Sequence, residues 1–420
     1  MAASHLPMQL SISTSTTKTQ LDAAAQTPLA GAQGLTPPVT PTIEDGNSLE
    51  TATPLPSSTG SSTILSPVEP DPTDACLGAQ TVAVSSPPQF AQELEYQLDP
   101  RGRPVEFGRG AWSVVHKALS STPADESHSP TTPPSSSAPV GRVVAVKSPA
   151  RRDAHAVLHA EALALTRASL VPGSEHHLVP FHGYIADSHS IVMSAVPLSL
   201  SSYIEDKARI AQQNKSTKTM FDPVQGMAQW HDLAKKLVTG LSWLHSGPQL
   251  VHGDIKPHNL LLQPRPSVGD DPDSAEFPYE PLFADFSSSH PITPPASEKA
   301  TATSLTALTP PFAAPELLCV SSLSSPDVAP TPASDVFSLA VTLLAAATGD
   351  LLLYPGTSSM QRLAMAREGH RVIEFTRSGP NGSRVPRNGT VEKILKPATS
   401  KDPIERILPG EWVQLAQTVA

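Results

Sequence analysis

The run Val251 to Leu262, V-H-G-D-I-K-P-H-N-L-L-L, constrains this chain more than any other segment. An Asp, a Lys two residues on and an Asn five residues on sit between apolar flanks. Flanks of that kind read as short buried strands, and the polar centre as the turn between them. A plain strand-turn-strand with polar residues in its turn is the alternative account of the run, one that its length and residue types already disfavour. The rest of the chain has to decide whether the turn does more.

Composition removes part of the room that 420 residues offer. Pro is 46 of 420 and aromatics are 5%, which is poor material for a packed core throughout. The charge is also uneven. Residues 1–100 carry one basic residue, Lys18, and ten acidic ones, a net of −9. The whole chain is −10, so residues 101–420 are near neutral at −1. An acidic tail argues against direct nucleic-acid binding. Cys76 and Cys319 are the two cysteines, too few for a disulfide framework or a Cys-rich zinc site. With an N-terminus lacking a basic, apolar leader pattern, this points to an intracellular chain, cytoplasmic and/or nuclear. Val336 to Tyr354 is apolar, but Gly349 and Asp350 cut the run at about twelve residues, short of the roughly 20 a membrane span needs. A buried core helix is expected there, and no membrane span.

Residues 1–97 read as a disordered Pro/Ser/Thr-rich acidic tail without periodicity. Thr27-Pro28, Thr36-Pro37, Thr40-Pro41, Thr53-Pro54, Ser66-Pro67 and Ser86-Pro87 are acceptors of the kind proline-directed enzymes modify. The tail is therefore expected to be phosphorylated or to bind regulatory partners. From 98 to 420 the chain reads as one folded region. Its first part, 98–195, has two strands within Val105–Leu119, a disordered insert over 120–141, a strand over Arg142–Lys147, a helix over Ala154–Ser169 and a strand over Ser190–Val196. Its second part, 196–420, has a helix over Asp232–His245, where Leu233, Leu237, Leu241 and Leu244 recur at helical spacing. The opening run follows, then an acidic insert over 263–281, a short strand at Leu282–Phe286 that runs into a turn, the buried helix from Asp335, and a terminal helix over Gly410–Thr418.

The opening run resembles the catalytic loop of eukaryotic-type protein kinases, H-R-D-x-K-P-x-N, with Gly253 where Arg is commonest. Other pieces follow in the family's order. Phe107-Gly108-Arg109-Gly110-Ala111-Trp112-Ser113-Val114-Val115 resembles the Gly-rich loop, with Ser113 for the third Gly and Trp112 at the aromatic tip. Val144-Ala145-Val146-Lys147 resembles the strand bearing the phosphate-contacting Lys, and Glu161 is its expected helix partner. Asp285-Phe286-Ser287 stands where the family has Asp-Phe-Gly. Ala314-Pro315-Glu316 resembles the end of the activation loop, and Thr309 lies seven residues before Glu316.

The resemblance implies an α+β, bilobal kinase fold with a small, mainly β N-lobe and a larger, mainly α C-lobe. It implies ATP and Mg²⁺ as cofactors and a protein substrate phosphorylated on Ser or Thr. Asp254 would orient and deprotonate the hydroxyl, and Lys256 would neutralise the γ-phosphate. Asn259 and Asp285 would hold Mg²⁺. Gly108, Gly110, Trp112, Val115, Ala145, Lys147, Glu161, Met193 and Leu261 would surround the nucleotide. His252 and Leu165 would sandwich Phe286, Asp335 would anchor the catalytic loop, and Arg406 would pair with Glu316. Ser287 would cost about 1 kcal/mol if that residue needs φ > 0. Gly253 removes the Arg that grips a phosphorylated activation loop, so activity without such phosphorylation is expected. The departures at Ser113, Gly253 and Ser287 also fit a second reading, a pseudokinase acting as a scaffold. Small-molecule phosphorylation is a third, which the Ala-Pro-Glu segment with Thr309 speaks against.

Overall fold

The computed structural model describes residues 84–121, 141–214, 216–265, 276–293, 308–323, 328–354 and 358–419. A six-stranded antiparallel sheet comes first. Its strands are β1 (Leu94–Tyr96), β2 (Glu106–Arg109), β3 (Ser113–Ser120), β4 (Arg142–Pro149), β5 (Phe181–Ile185) and β6 (Ser190–Ser194). They lie in the order β1-β3-β4-β6-β5, with β2 also paired to β3. Between β4 and β5 runs helix α1 (His155–Ser169).

Register and strand alternation give the sheet two different faces. Val115 lies opposite Lys147, and Ala145 opposite Met193, so these four share the face covered by α1. The other face buries Ala118, Val144, Val146 and Val192 under Phe90, Leu94 and Ile185. The sheet thus begins before residue 98, the expected start of the folded region. β1 pairs with β3, and further upstream the Phe90 N–H donates to the Tyr184 carbonyl (2.9 Å) while the Tyr184 N–H donates to Pro88 (2.8 Å). Sequence reading assigned this strap to the tail because Pro87 and Pro88 dominate its composition. Gly183 lets it approach: with φ +148, a Cβ there would lie 3.0 Å from the Phe90 backbone N. For residues 1–83 the expected tail lies outside the described residues.

The second part is mainly helical. It contains α2 (Leu200–Gln213), α3 (Met227–Ser246), α4 (Val320–Leu323), α5 (Pro332–Thr348), α6 (Ser359–Arg367), α7 (Val372–Arg377), α8 (Thr390–Leu395) and α9 (Pro409–Thr418). Leu233, Leu237, Leu241 and Leu244 of α3 are fully buried. Each contributes roughly 1.5–3 kcal/mol of burial. α3 starts five residues before the expected Asp232, because Trp230 is buried and its Nε1 donates to the Leu343 carbonyl of α5 (3.0 Å). α5 is buried along nearly its whole length, as its apolar run demands. A Thr331/Ser334 capping box with Pro332 starts it, and Gly349 at φ 73 ends it. Among the described residues, no helix is long and apolar enough to cross a membrane.

Short ladders carry the opening run. β7 (Leu250–Val251) pairs with β10 (His290–Pro291), and β8 (Leu260–Pro264) with β9 (Tyr279–Phe283). Gln263 and Pro264 pair with Glu280 and Tyr279. The insert expected over 263–281 therefore narrows at both ends, and residues 266–275 lie outside the described residues.

Candidate active site

Lys147, on β4, is 4% exposed and Glu161, on α1, is 1% exposed. Nζ donates to both carboxylate oxygens of Glu161 (2.6 and 2.7 Å) and to Oδ1 of Asp285 (2.7 Å). Burial alone would drive the ammonium towards neutrality. The two carboxylates outweigh it and hold Lys147 protonated well above the ordinary lysine range. At Asp285, whose side chain is only half-buried, desolvation pushes the carboxyl up, but Lys147 overcomes that and leaves it well below the usual carboxylate range. Ser287 also lowers it. The expected Lys–Glu pair is thus formed, and Asp285 joins it.

The opening run folds as the turn its flanks imply. Asp254 and Lys256 face each other at 2.6 Å, and Lys256 Nζ also donates to Thr309 Oγ1 at 3.1 Å. Burial raises the Asp254 carboxyl above its ordinary pKa against the opposing pull of Lys256. Asn259 spends its Nδ2 hydrogens on Asp254, at the backbone carbonyl (2.8 Å) and at Oδ2 (3.1 Å). Its amide oxygen is then the atom left to act as a ligand.

Asp335 holds the loop from below. Its Oδ2 accepts from the His252 N–H (2.7 Å) and from His245 Nε2 (3.0 Å), and its Oδ1 accepts from the Gly253 N–H (2.9 Å). His245 was not expected from sequence. It lies at the end of an amphipathic helix, where an imidazole carries no distinguishing signal. His252 is fully buried. Its Nε2 faces the Ala284 carbonyl (3.1 Å) and its Nδ1 accepts the Asp254 N–H (3.3 Å), so the network assigns the proton to Nε2. Phe286 packs on that ring at 4.8 Å and is buried in one core with Leu165, as expected. The Phe286 N–H donates to Glu161 (3.1 Å), a link sequence could not show because it runs through backbone.

Gly253 has φ 82, and a Cβ there would sit 2.6 Å from the Ser288 carbonyl oxygen. The loop is built around a missing side chain at this position. Ser287 is different. The described residues with positive φ include Asp285 (φ 61) but not Ser287, so the anticipated penalty for Gly-to-Ser does not arise.

In the Gly-containing turn, β2 and β3 lie beside β4, with Val115 directly across from Lys147. A Cβ on Gly108 would meet nothing within 4 Å, and one on Gly110 only Ser113 at 4.0 Å. Packing does not require either glycine, which leaves the turn free for a ligand's close approach. Ser113 is buried, and its carbonyl accepts the Gly110 N–H (2.8 Å). Trp112 is not at a free tip: it is half-buried, with the Arg151 guanidinium over its ring at 4.3 Å. Leu261, half-buried in β8, lies opposite Leu282 of the helical part rather than on the sheet with Ala145 and Met193.

Away from the turn, Arg406 grips Glu316 with two 2.7 Å bonds, donates to the Ala333 and Ser400 carbonyls, and stacks on Phe337 at 5.1 Å. The Lys147–Glu161, Lys256–Thr309, Asp335–catalytic loop and Arg406–Glu316 contacts thus join the residues that the resemblance pairs, whereas Trp112 stands away from a free tip.

A family model described as the protein kinase domain matches residues 138–416. The chain belongs to the protein kinase family. The match starts after residues 106–120, yet the β3–β4 ladder brings that segment into the same kinase fold over eight residue pairs, Ser113–Pro149 to Ser120–Arg142. Comparison with curated proteins finds no match. Kinase domains generally use ATP and Mg²⁺ and act on proteins. The donor set here fits that cation: a carboxylate (Asp285) and an amide oxygen (Asn259) are hard ligands, and Mg²⁺ takes few protein ligands and completes its shell with phosphate and water.

Proposed function

We propose that this kinase domain is catalytically active and transfers the ATP γ-phosphoryl group to Ser or Thr hydroxyls of an intracellular protein. The observation that carries the reading is the Lys256 ammonium, which joins Asp254 to Thr309. Ser/Thr protein kinases carry a Lys two residues after the catalytic Asp and a Thr seven residues before the Glu of Ala-Pro-Glu, as Lys256 and Thr309 stand here, and Tyr kinases differ at both positions.

Each residue has a task. Asp254, raised in pKa by burial, accepts a hydrogen bond from the substrate hydroxyl and takes its proton as the hydroxyl oxygen bonds to the γ-phosphorus and the P–O bond to ADP breaks. Lys256 supplies positive charge beside that hydroxyl. Lys147, clamped by Glu161, presents a protonated ammonium to the nucleotide phosphates. Asn259 and Asp285 would hold Mg²⁺, whose contribution is to neutralise phosphate charge. The intact Lys147–Glu161–Asp285 arrangement favours activity over a scaffold role.

Gly253 supports activity without activation-loop phosphorylation, since this position cannot grip a phosphate. Thr301, Thr303, Ser304 and Thr306, the acceptors such control would use, lie outside the described residues. The test is Mg²⁺- and ATP-dependent autophosphorylation of the full chain beside Asp254→Asn, with and without phosphatase pretreatment. Asp254→Asn should lose about 10²–10⁴ in rate, and phosphatase should change little. Equal phosphate incorporation by both proteins would overturn the enzyme reading. Activity abolished by phosphatase and rescued by rephosphorylation would overturn the regulatory one.

A further inference from the structure

Of the six Ser/Thr-Pro pairs in the N-terminal region, Ser86-Pro87 alone falls among the described residues. It stands just before the strap that pairs with β5. Ser86 is exposed and Pro87 is buried. Both line a cleft of about 380 Å³ whose other walls include His155 and His159 from the first turns of α1 and His189 from the β5–β6 turn, with Tyr184 between.

The rings are organised. His155 and His189 stack with centroids 3.9 Å apart at 21°. Tyr184 Oη and His189 Nδ1 are 3.0 Å apart, and His159 meets Tyr184 edge-on at 5.6 Å. Three imidazoles, two from α1 and one from the β5–β6 turn, thus line the same cleft as the exposed Ser86. None of them belongs to the catalytic site. The fixed charges nearby are few: Asp153 is paired with Arg151 at 2.8 Å, Arg152 adjoins it, and Asp187 sits in the turn two residues before His189.

We propose that Ser86 is a phosphorylation site and that the imidazoles of His155, His159 and His189 receive its phosphate, latching the strap onto α1. A proline-directed kinase would transfer the γ-phosphoryl of ATP. The Ser86 Oγ–P bond forms as the P–O bond to ADP breaks, and the hydroxyl proton passes to solvent. A phosphoserine carries a charge of about −1.5 to −2 near neutral pH. Placed against these rings, its three acceptor oxygens meet imidazole N–H donors. The strap reaches β5 through few backbone bonds, so Ser86 can reach a modifying enzyme by local opening. α1 is the helix that carries Glu161, so the latch would bear on the Lys147–Glu161 pair. That last consequence rests on the proposed kinase activity; the latch itself does not.

The test uses the full chain carrying Asp254→Asn, which removes its own proposed activity. It is treated with a proline-directed Ser/Thr kinase and ATP, the phosphosites are mapped, and amide hydrogen exchange is followed. Phosphate on Ser86 should slow exchange of the Phe90 and Tyr184 amides about ten-fold or more. Adding His155→Gln, His159→Gln and His189→Gln should leave the modification and remove the slowing. If that variant does not fold, His159→Gln alone, at an exposed position, should leave the modification and reduce the slowing. Tail sites modified while Ser86 is not, unchanged or faster exchange after modification, or slowing that is independent of the histidines would each overturn the latch. None of these outcomes depends on whether the chain itself is an active kinase.

Discussion

Asp335→Ala should be among the most damaging single substitutions in the chain although Asp335 touches no expected substrate. The carboxylate is 1% exposed and accepts from the His252 N–H, the Gly253 N–H and His245 Nε2. Alanine leaves two backbone donors of the catalytic loop without acceptors, one of them on fully buried His252. Each orphaned buried group costs about 1–3 kcal/mol, so the loss is roughly 2–6 kcal/mol. For a domain of this size that corresponds to a fall in Tm of roughly 5–20 °C. Gly253 would also lose the bond that holds it at φ 82. Asp335→Asn should fall between alanine and wild type, because one amide oxygen remains while the NH₂ group faces a donor. Thermal unfolding gives the stability, and autophosphorylation at a temperature where the variant is still folded gives the effect on the loop. If Asp335→Ala unfolded within about 1 kcal/mol of wild type, other acceptors would be reaching those N–H groups, and the account of Asp335 as the loop's anchor would be wrong.

Asp254 must be ionised to accept a proton, and burial raises its pKa, so the acid limb of kcat/KM should lie above the ordinary Asp value of about 3.9. Lys256→Met removes the charge that pulls this pKa down; the limb should move to higher pH, and a downward move in the rate profile would contradict the assignment. Gly253→Ala places a Cβ against the Ser288 carbonyl at positive φ and should destabilise by about 1–2 kcal/mol from the backbone alone; a neutral result in chemical denaturation would show that the loop readily rearranges. Ser287→Gly should give no gain in stability, because Ser287 lies outside the positive-φ region; a rise in Tm would reinstate the strain first anticipated there.

The candidate site was legible wherever chemistry depends on side-chain type at fixed spacing. Lys147, Asp254, Lys256, Asn259 and Asp285 stand close in sequence to recognisable neighbours, and the fold brings them together as those neighbours imply. What escaped sequence reading runs through backbone or across long separations. The Phe286 N–H on Glu161 leaves no residue signature. The His245 contact with Asp335 looks like any polar residue on an amphipathic helix. The strap was missed because Pro-rich composition outweighed a single paired strand, although Phe90 and Leu94 are the residues that close the outer face of the sheet. Ser287 was misjudged for another reason: the positive φ belongs to Asp285, two residues earlier, and dihedral angles cannot be read from residue type when the residue is not glycine.

Glu161 accepts from Lys147 and from the Phe286 N–H with the same carboxylate, and Ser289 holds the Phe286 carbonyl with both its N–H (3.0 Å) and its Oγ (2.7 Å). For small molecules aimed at this cleft, that arrangement acts as a filter. A compound that needs Phe286 out of its pocket must strip a buried charged group of a hydrogen bond worth about 1.5–3 kcal/mol. It would therefore bind roughly 10- to 100-fold more weakly than its own contacts warrant. A compound that accepts the cleft as it stands meets no such cost, so the shape of the useful ligands is already written into how one glutamate is shared.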